Sequence, residues 1–159
     1  MLEALLSFLW SLFGYSTLHQ TSPTVPATTT ATLVRVIDGD TIDVIIDGVG
    51  ERVRYIGIDT PEPYAGTAPE CFAAEASAAN RMLLQGGNVQ LVAGAEDRDT
   101  YNRLLRYVHV DDVFVNAELL RGGFATTLTI PPNTKHVERF SDLEAAAQAA
   151  GRGLWGACR

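Results

Sequence analysis

From Ala31 onward, apolar and polar residues alternate with the period of two expected of half-buried strands. Leu33, Val34, Val36 and Ile37 end at Asp38-Gly39, and Ile42, Val44 and Ile46 then alternate with Thr41, Asp43 and Ile45 up to Asp47-Gly48. Asp-Gly between two such runs is a strong hairpin signal, and residues 51–58 supply the returning strand. Residues 73–84 are Ala-rich, carry Met82, Leu83 and Leu84 near their end and stop at Gly86-Gly87, which predicts a first helix. Val89, Leu91 and Ala93 alternate as a fourth strand, and residues 104–110 form a fifth, with Asp111-Asp112 turning into Phe114. Asn116 is placed to cap a short helix over residues 117–121 that ends at Gly122-Gly123. Phe140, Leu143 or Glu144, and Ala147 lie at helical spacing in a last helix over residues 137–150. Five short strands and three helices imply an α+β fold, mainly a β barrel of the OB type, with no internal repeat.

Residues 1–18 break this pattern. They are apolar almost throughout (Leu2, Leu5, Leu6, Phe8, Leu9, Trp10, Leu12, Phe13) and lead into a Thr/Ser/Pro stretch. The expected map is a hydrophobic leader at residues 1–20, a linker at 21–31 and a folded domain at 32–159. Glu3 stands where a secretory signal carries a cation, so an uncleaved membrane tether through residues 1–18 stays open beside a cleaved signal. A helix packed on the domain would show one apolar face rather than a wholly apolar segment. A secreted or extracytoplasmic, membrane-anchored protein is expected.

The two cysteines, Cys71 and Cys158, fit that location. Neither sits in a C-x-x-C or Cys/His ligand spacing, so one disulfide is the economical reading, and two buried thiols are the alternative. The bridge would tie the start of the first helix to the end of the chain.

Charge narrows the chemistry. The 159 residues carry a net charge of -7, with 12 basic against 19 acidic residues. Such a chain is not a basic coat for nucleic acid, and any grip on phosphate must come from local arginines and a bridging cation. Two acidic clusters meet that need: Ile37-Asp38-Gly39-Asp40-Thr41 and Ile58-Asp59-Thr60-Pro61-Glu62, with Arg54 before the second and Arg103 in Tyr101-Asn102-Arg103. Carboxylate oxygens suit Ca²⁺ or Mg²⁺ and arginine forks suit phosphate oxygens, so the combination reads as a metal-dependent phosphodiester site. By strand parity Arg54 shares a face with Ile56 and Ile58 while Asp59 alternates onto the other, so convergence requires a bend, expected at Asp59-Thr60 beside Pro61.

These motifs, in this order, together with Val115-Asn116-Ala117-Glu118-Leu119, Pro131-Pro132-Asn133 and Gly153-Leu154-Trp155-Gly156, resemble the staphylococcal nuclease (thermonuclease) family over residues 32–156. The resemblance implies a five-stranded OB-fold barrel with three helices and Ca²⁺-dependent cleavage of DNA and/or RNA to products with 3′-phosphate ends. It assigns the calcium to the carboxylates of Asp40 and Asp59 and the carbonyl of Thr60, with Asp38 in support. Glu62 falls on the general-base position, Arg54 and Arg103 on the arginines that grip the scissile phosphate, and Tyr101 on a residue contacting a nucleotide phosphate. A monomer is expected.

Two departures matter. Residues 125–130 lack the tyrosines on which family members stack a base, and Thr100 stands where a lysine is common. Losing a stacking platform costs roughly 1–3 kcal/mol per base. The competing reading is a catalytically weak or inactive OB-fold module that binds single-stranded nucleic acid or a protein partner. Modules of that kind lose the acidic ligands, whereas Asp40, Asp59, Glu62, Arg54 and Arg103 are all present.

Overall fold

Three consecutive threonines open the barrel. The computed structural model describes residues 28–158 except 65, 67 and 87, so the leader expected at residues 1–20 lies outside the described residues. Thr28, Thr29 and Thr30, which the composition places in a linker, instead pair antiparallel with Val92, Leu91 and Gln90. The first strand, β1, therefore runs Thr28–Val36. Threonine is β-branched and suits a pleated surface, so a polar stretch here extends the strand rather than ending it.

β2 (Thr41–Ile46) and β3 (Val49–Tyr55) form the expected hairpin. Its Asp47-Gly48 corner has positive φ at both residues, 49° and 83°, as a two-residue turn of the type matching strand twist requires. A short strand β4 (Gly57–Asp59) comes next in the chain. β5 (Val89–Arg98) and β6 (Leu104–Val110) continue the sheet in the order β3-β2-β1-β5-β6. Parallel pairing of β3 with β6 then closes five strands into a barrel. Ile42, Val44, Val53, Leu91 and Val108 point inward and are fully buried, with Leu119, Leu120 and Phe140 covering them.

Helices α1 (Ala73–Leu83), α2 (Val115–Arg121) and α3 (Val137–Ala149) pack around this core. β7 (Val113–Phe114) folds back to pair antiparallel with the end of β6, and α4 (Leu154–Ala157) is a single turn. Asn116 does not cap α2. It lies inside the helix with its side chain buried, accepting from the Val108 amide (2.9 Å) and donating to the Ile56 carbonyl (2.9 Å). Satisfying two buried backbone groups across three elements outweighs a cap that Phe114 occupies instead.

The returning strand expected over residues 51–58 is broken. β3 ends at Tyr55, and β4 pairs with β8 (Thr126–Leu128) in a second, two-stranded sheet. The bend falls at Ile56-Gly57, not at Asp59-Thr60. Gly57 has φ 82°, and a Cβ there would lie 2.7 Å from the Phe140 ring, so only glycine turns the chain at this point. Cys71 and Cys158 are paired, with Cα atoms 5.9 Å apart across 87 residues. No helix among the described residues is long and apolar enough to cross a membrane.

Candidate active site

The bend at Gly57 puts both acidic clusters against one arginine. Arg54 leaves the end of β3 with its side chain mostly buried, and its Nη1 lies 2.6 Å from Asp40 Oδ2 while Nη2 lies 2.6 Å from Asp59 Oδ1. Nη1 also donates to the Ile58 carbonyl at 3.0 Å, which pins the guanidinium to the turn that carries Asp59. One planar fork thus brings together two carboxylates that would otherwise repel.

Asp40 is wholly buried and richly bonded. Oδ2 accepts the Thr60 amide (2.8 Å) and hydroxyl (3.0 Å), and Oδ1 accepts only the Thr41 hydroxyl (3.1 Å). Burial pushes its carboxyl up to about 7 against the opposing pull of Arg54, with Asp38 adding to the rise. Gly39 permits this closeness, since a Cβ there would sit 2.5 Å from Thr60 Oγ1. Asp38 shapes the loop: its Oδ1 accepts the Asp40 amide at 3.0 Å, and its carbonyl accepts from Asn80 of α1, whose Oδ1 in turn accepts from the Tyr55 hydroxyl.

Asp59 is different in character. Half of its side chain is exposed, and Arg54 is its one ion-pair partner among the described residues. The remaining lone pairs of Asp59 and the sparsely used Oδ1 of Asp40 are hard oxygen donors on the two carboxylates that Arg54 joins, a donor type that fits a divalent cation of the calcium or magnesium class. No group of three or more His, Cys, Asp and Glu clusters as a metal cage among the described residues. A cation here would draw on two carboxylates and on oxygens that are not carboxylate. The Thr60 amide and hydroxyl are committed to Asp40.

Arg103 and Tyr101 form a ridge between two clefts. A broad cleft of about 860 Å³ is lined by Asp38, Glu62, Tyr101 and Arg103 among others, and a narrower one of about 320 Å³ by Arg54, Tyr101, Arg103, Leu128 and Ile130. Asp99 builds the ridge: its Oδ1 accepts the amides of Tyr101 and Arg103, both at 2.9 Å, and Oδ2 holds Arg103 Nε at 2.6 Å. With Nε anchored, the two terminal nitrogens of Arg103 remain to meet an anion. Burial opposes the charge on Asp99, yet the Arg103 amide and guanidinium outweigh it and hold the carboxyl below its ordinary value. Asp99 belongs to neither acidic motif, and its partners, the amides of Tyr101 and Arg103, carry no signal in the sequence. Tyr101 is 80% exposed, with Arg103 5.4 Å above its ring.

Glu62 lies past Pro61 on an exposed loop lining the broad cleft. Desolvation and the Asp38 charge push its carboxyl above the ordinary value, against the pull of Arg54. The site therefore gathers Asp40, Asp59, Thr60 and Arg54 into direct contact, with Glu62 and Arg103 on the adjoining walls. In residues 125–130, which lack base-stacking tyrosines, β8 braces Asp59 through Asp59↔Thr126 pairing, and Leu128 lines the narrow cleft.

A family model described as Staphylococcal nuclease homologue matches residues 52–157. Endonuclease YncB of Bacillus subtilis (strain 168) is 40% identical over 129 residues, which covers 78% of this chain and 60% of that protein. The SPbeta prophage-derived endonuclease YokF of the same organism is likewise 40% identical, with 43% of its length covered. The thermonuclease of Staphylococcus hyicus is 35% identical over 124 residues, covering 77% of this chain and 73% of that protein. The chain thus spans less than two thirds of either Bacillus relative. The barrel topology and these sequence matches place the chain in the staphylococcal nuclease family.

Proposed function

We propose that this protein is a Ca²⁺-dependent nuclease that hydrolyses phosphodiester bonds of DNA and/or RNA and leaves 3′-phosphate ends. The observation that carries the reading is the convergence of Asp40 and Asp59 on Arg54, with Glu62 and Arg103 lining the cleft beside them. Asp40, Asp59 and the Thr60 carbonyl would hold the cation, which supplies charge neutralisation at a phosphate oxygen when bound. Arg54 and Arg103 orient the phosphate through planar donors and stabilise charge growing on its equatorial oxygens. Glu62, open to the cleft, takes a proton from the attacking water in its ionised form. Arg54 holds the two carboxylates together: Nη1 is committed to Asp40 and the Ile58 carbonyl, while Nη2 keeps one N–H beyond its bond to Asp59 for substrate.

The relatives' names support nucleic acid as the substrate, since two are named endonucleases and one a thermonuclease. Substrate retention is light in this reading: the domain is acidic, and aliphatic Leu128 and Ile130 line the cleft in the segment where family members place stacking tyrosines. The apolar segment at residues 1–18 and the paired cysteines support action outside the cytoplasm, secreted or tethered. The test is cleavage of single-stranded DNA by the full chain with Ca²⁺, with and without chelator, followed by end-group determination. A folded protein inactive across Ca²⁺ concentrations contradicts the proposal.

A further inference from the structure

Glu62 has no hydrogen bond to its carboxylate among the described residues, so its direction must come from its backbone. That backbone is clamped by Glu70. The Glu62 amide donates to Glu70 Oε2 at 2.8 Å, and the Glu70 amide donates to the Glu62 carbonyl at 2.9 Å. Pro61 restrains the other side of Glu62 by fixing its own φ.

Glu70 is itself anchored by its two C-terminal neighbours. Cys71 is bonded to Cys158, and Phe72, at φ 71° without being glycine, stacks on Phe124 with ring centroids 5.6 Å apart. A non-glycine residue stays in that conformation when its surroundings over-determine it. Cys158 is in turn fixed, because its amide donates to the Leu154 carbonyl and the Leu154 amide donates to the Gly123 carbonyl, both at 2.9 Å. The bridge also borders the candidate metal ligands: Asp59, Thr60, Pro61, Glu70, Cys71 and Cys158 share one shallow depression. Chain end, bridge and Glu62 are thus one connected path.

We propose that Glu70, anchored by the Cys71–Cys158 bridge, is a positioning residue that fixes Glu62 for catalysis, so that turnover depends on the bridge being oxidised. The inference rests on the nuclease reading of Glu62. Glu70 touches neither substrate nor cation in this scheme and acts only through the Glu62 backbone. A carboxamide at position 70 keeps an acceptor oxygen for the Glu62 amide, whereas alanine removes it.

The experiment compares the full chain as wild type, Glu70→Ala, Glu70→Gln and wild type treated with a thiol reductant. Two readouts are taken: kcat and KM on single-stranded DNA with Ca²⁺, and hydrogen exchange of the Glu62 and Val108 amides. Glu70→Ala lowers kcat about 10- to 100-fold with KM nearly unchanged, as expected for a misplaced reacting group. It also exposes the Glu62 amide while Val108, deep in the barrel, stays protected. Glu70→Gln retains both properties, and reduction of wild type shifts both in the direction of Glu70→Ala. Wild-type kcat in Glu70→Ala, Glu70→Gln as impaired as Glu70→Ala, or loss of protection at Val108 in step with Glu62 overturns the proposal. An inactive wild type whose Glu62 protection still depends on residue 70 overturns the nuclease reading and leaves the clamp standing.

Discussion

Arg54 closes on Asp40 with Nη1 2.6 Å from Oδ2, inside a site where Asp40 is inaccessible to solvent. A buried carboxylate is tolerated here because a fixed guanidinium and three hydroxyl or amide donors compensate its lost hydration. A lysine could meet Asp40 or Asp59, but not both together with the Ile58 carbonyl. Arg54→Lys is expected to lower turnover by about 10²–10³-fold. It also lowers stability by about 1–3 kcal/mol through the contacts it leaves unmade. Steady-state kinetics and urea unfolding of the same preparation check both.

Glu62 should separate activity from stability. Its carboxyl is raised in the folded state, so the ionised form is penalised by folding at neutral pH, and removing that charge does not weaken the fold. Glu62→Gln is expected to cut kcat by about 10²–10⁴-fold with little change in KM, while the melting temperature in chelator stays level or rises. A base must be ionised to work, so wild-type activity falls as pH drops through a value above 4.5, the group's ordinary position. A pH–rate profile flat to below that value contradicts the assignment.

Asp99 runs the other way. Its folded carboxyl is depressed below 3.8, so its contribution to stability is fully present above the unfolded value and disappears as pH falls through the folded one. Asp43, depressed chiefly by its bond to Arg52, and Glu51, depressed chiefly by Arg98, have the same sign. Asp99→Asn puts an amide donor beside Arg103 Nε and frees the ridge. Turnover is expected to fall about tenfold or more, and the decline in stability below about pH 4 to become shallower than in wild type. Acid unfolding monitored by circular dichroism measures the slope.

Gly57 sets the approach of Arg54 to Asp59. A side chain there meets both an unfavourable positive φ and the Phe140 ring at 2.7 Å. Gly57→Ala should cost about 1–3 kcal/mol and reduce turnover by misaligning β4. Denaturant midpoints and kcat measured together test it.

Local alternation and turn chemistry made the barrel legible: Asp47-Gly48 corners a hairpin, and the inward row Ile42, Val44, Val53 is the core. The site was legible as types and order, because Asp40, Asp59, Arg54, Glu62 and Arg103 each carry a recognisable charge. Long-range effects were not. Thr28 to Thr30 look like a linker until Gln90 to Val92 supply a ladder. Gly57 does not announce a bend until Phe140 crowds it. Asn116 reads as a cap because its partners, the Val108 amide and Ile56 carbonyl, lie 8 and 60 residues away. Asp99 and Glu70 act on backbone amides, contacts that composition does not reveal.

The central claim is that the carboxylate pair gathered by Arg54 serves a divalent cation in phosphodiester cleavage. The most direct measurement is digestion of single-stranded DNA by wild type and Asp40→Asn across Ca²⁺ concentrations, with product ends determined. Cleavage by wild type that saturates with Ca²⁺, stops with chelator, leaves 3′-phosphate ends and is lost in a folded Asp40→Asn is the predicted result. Cleavage indifferent to chelator, or Asp40→Asn activity equal to wild type, would contradict it.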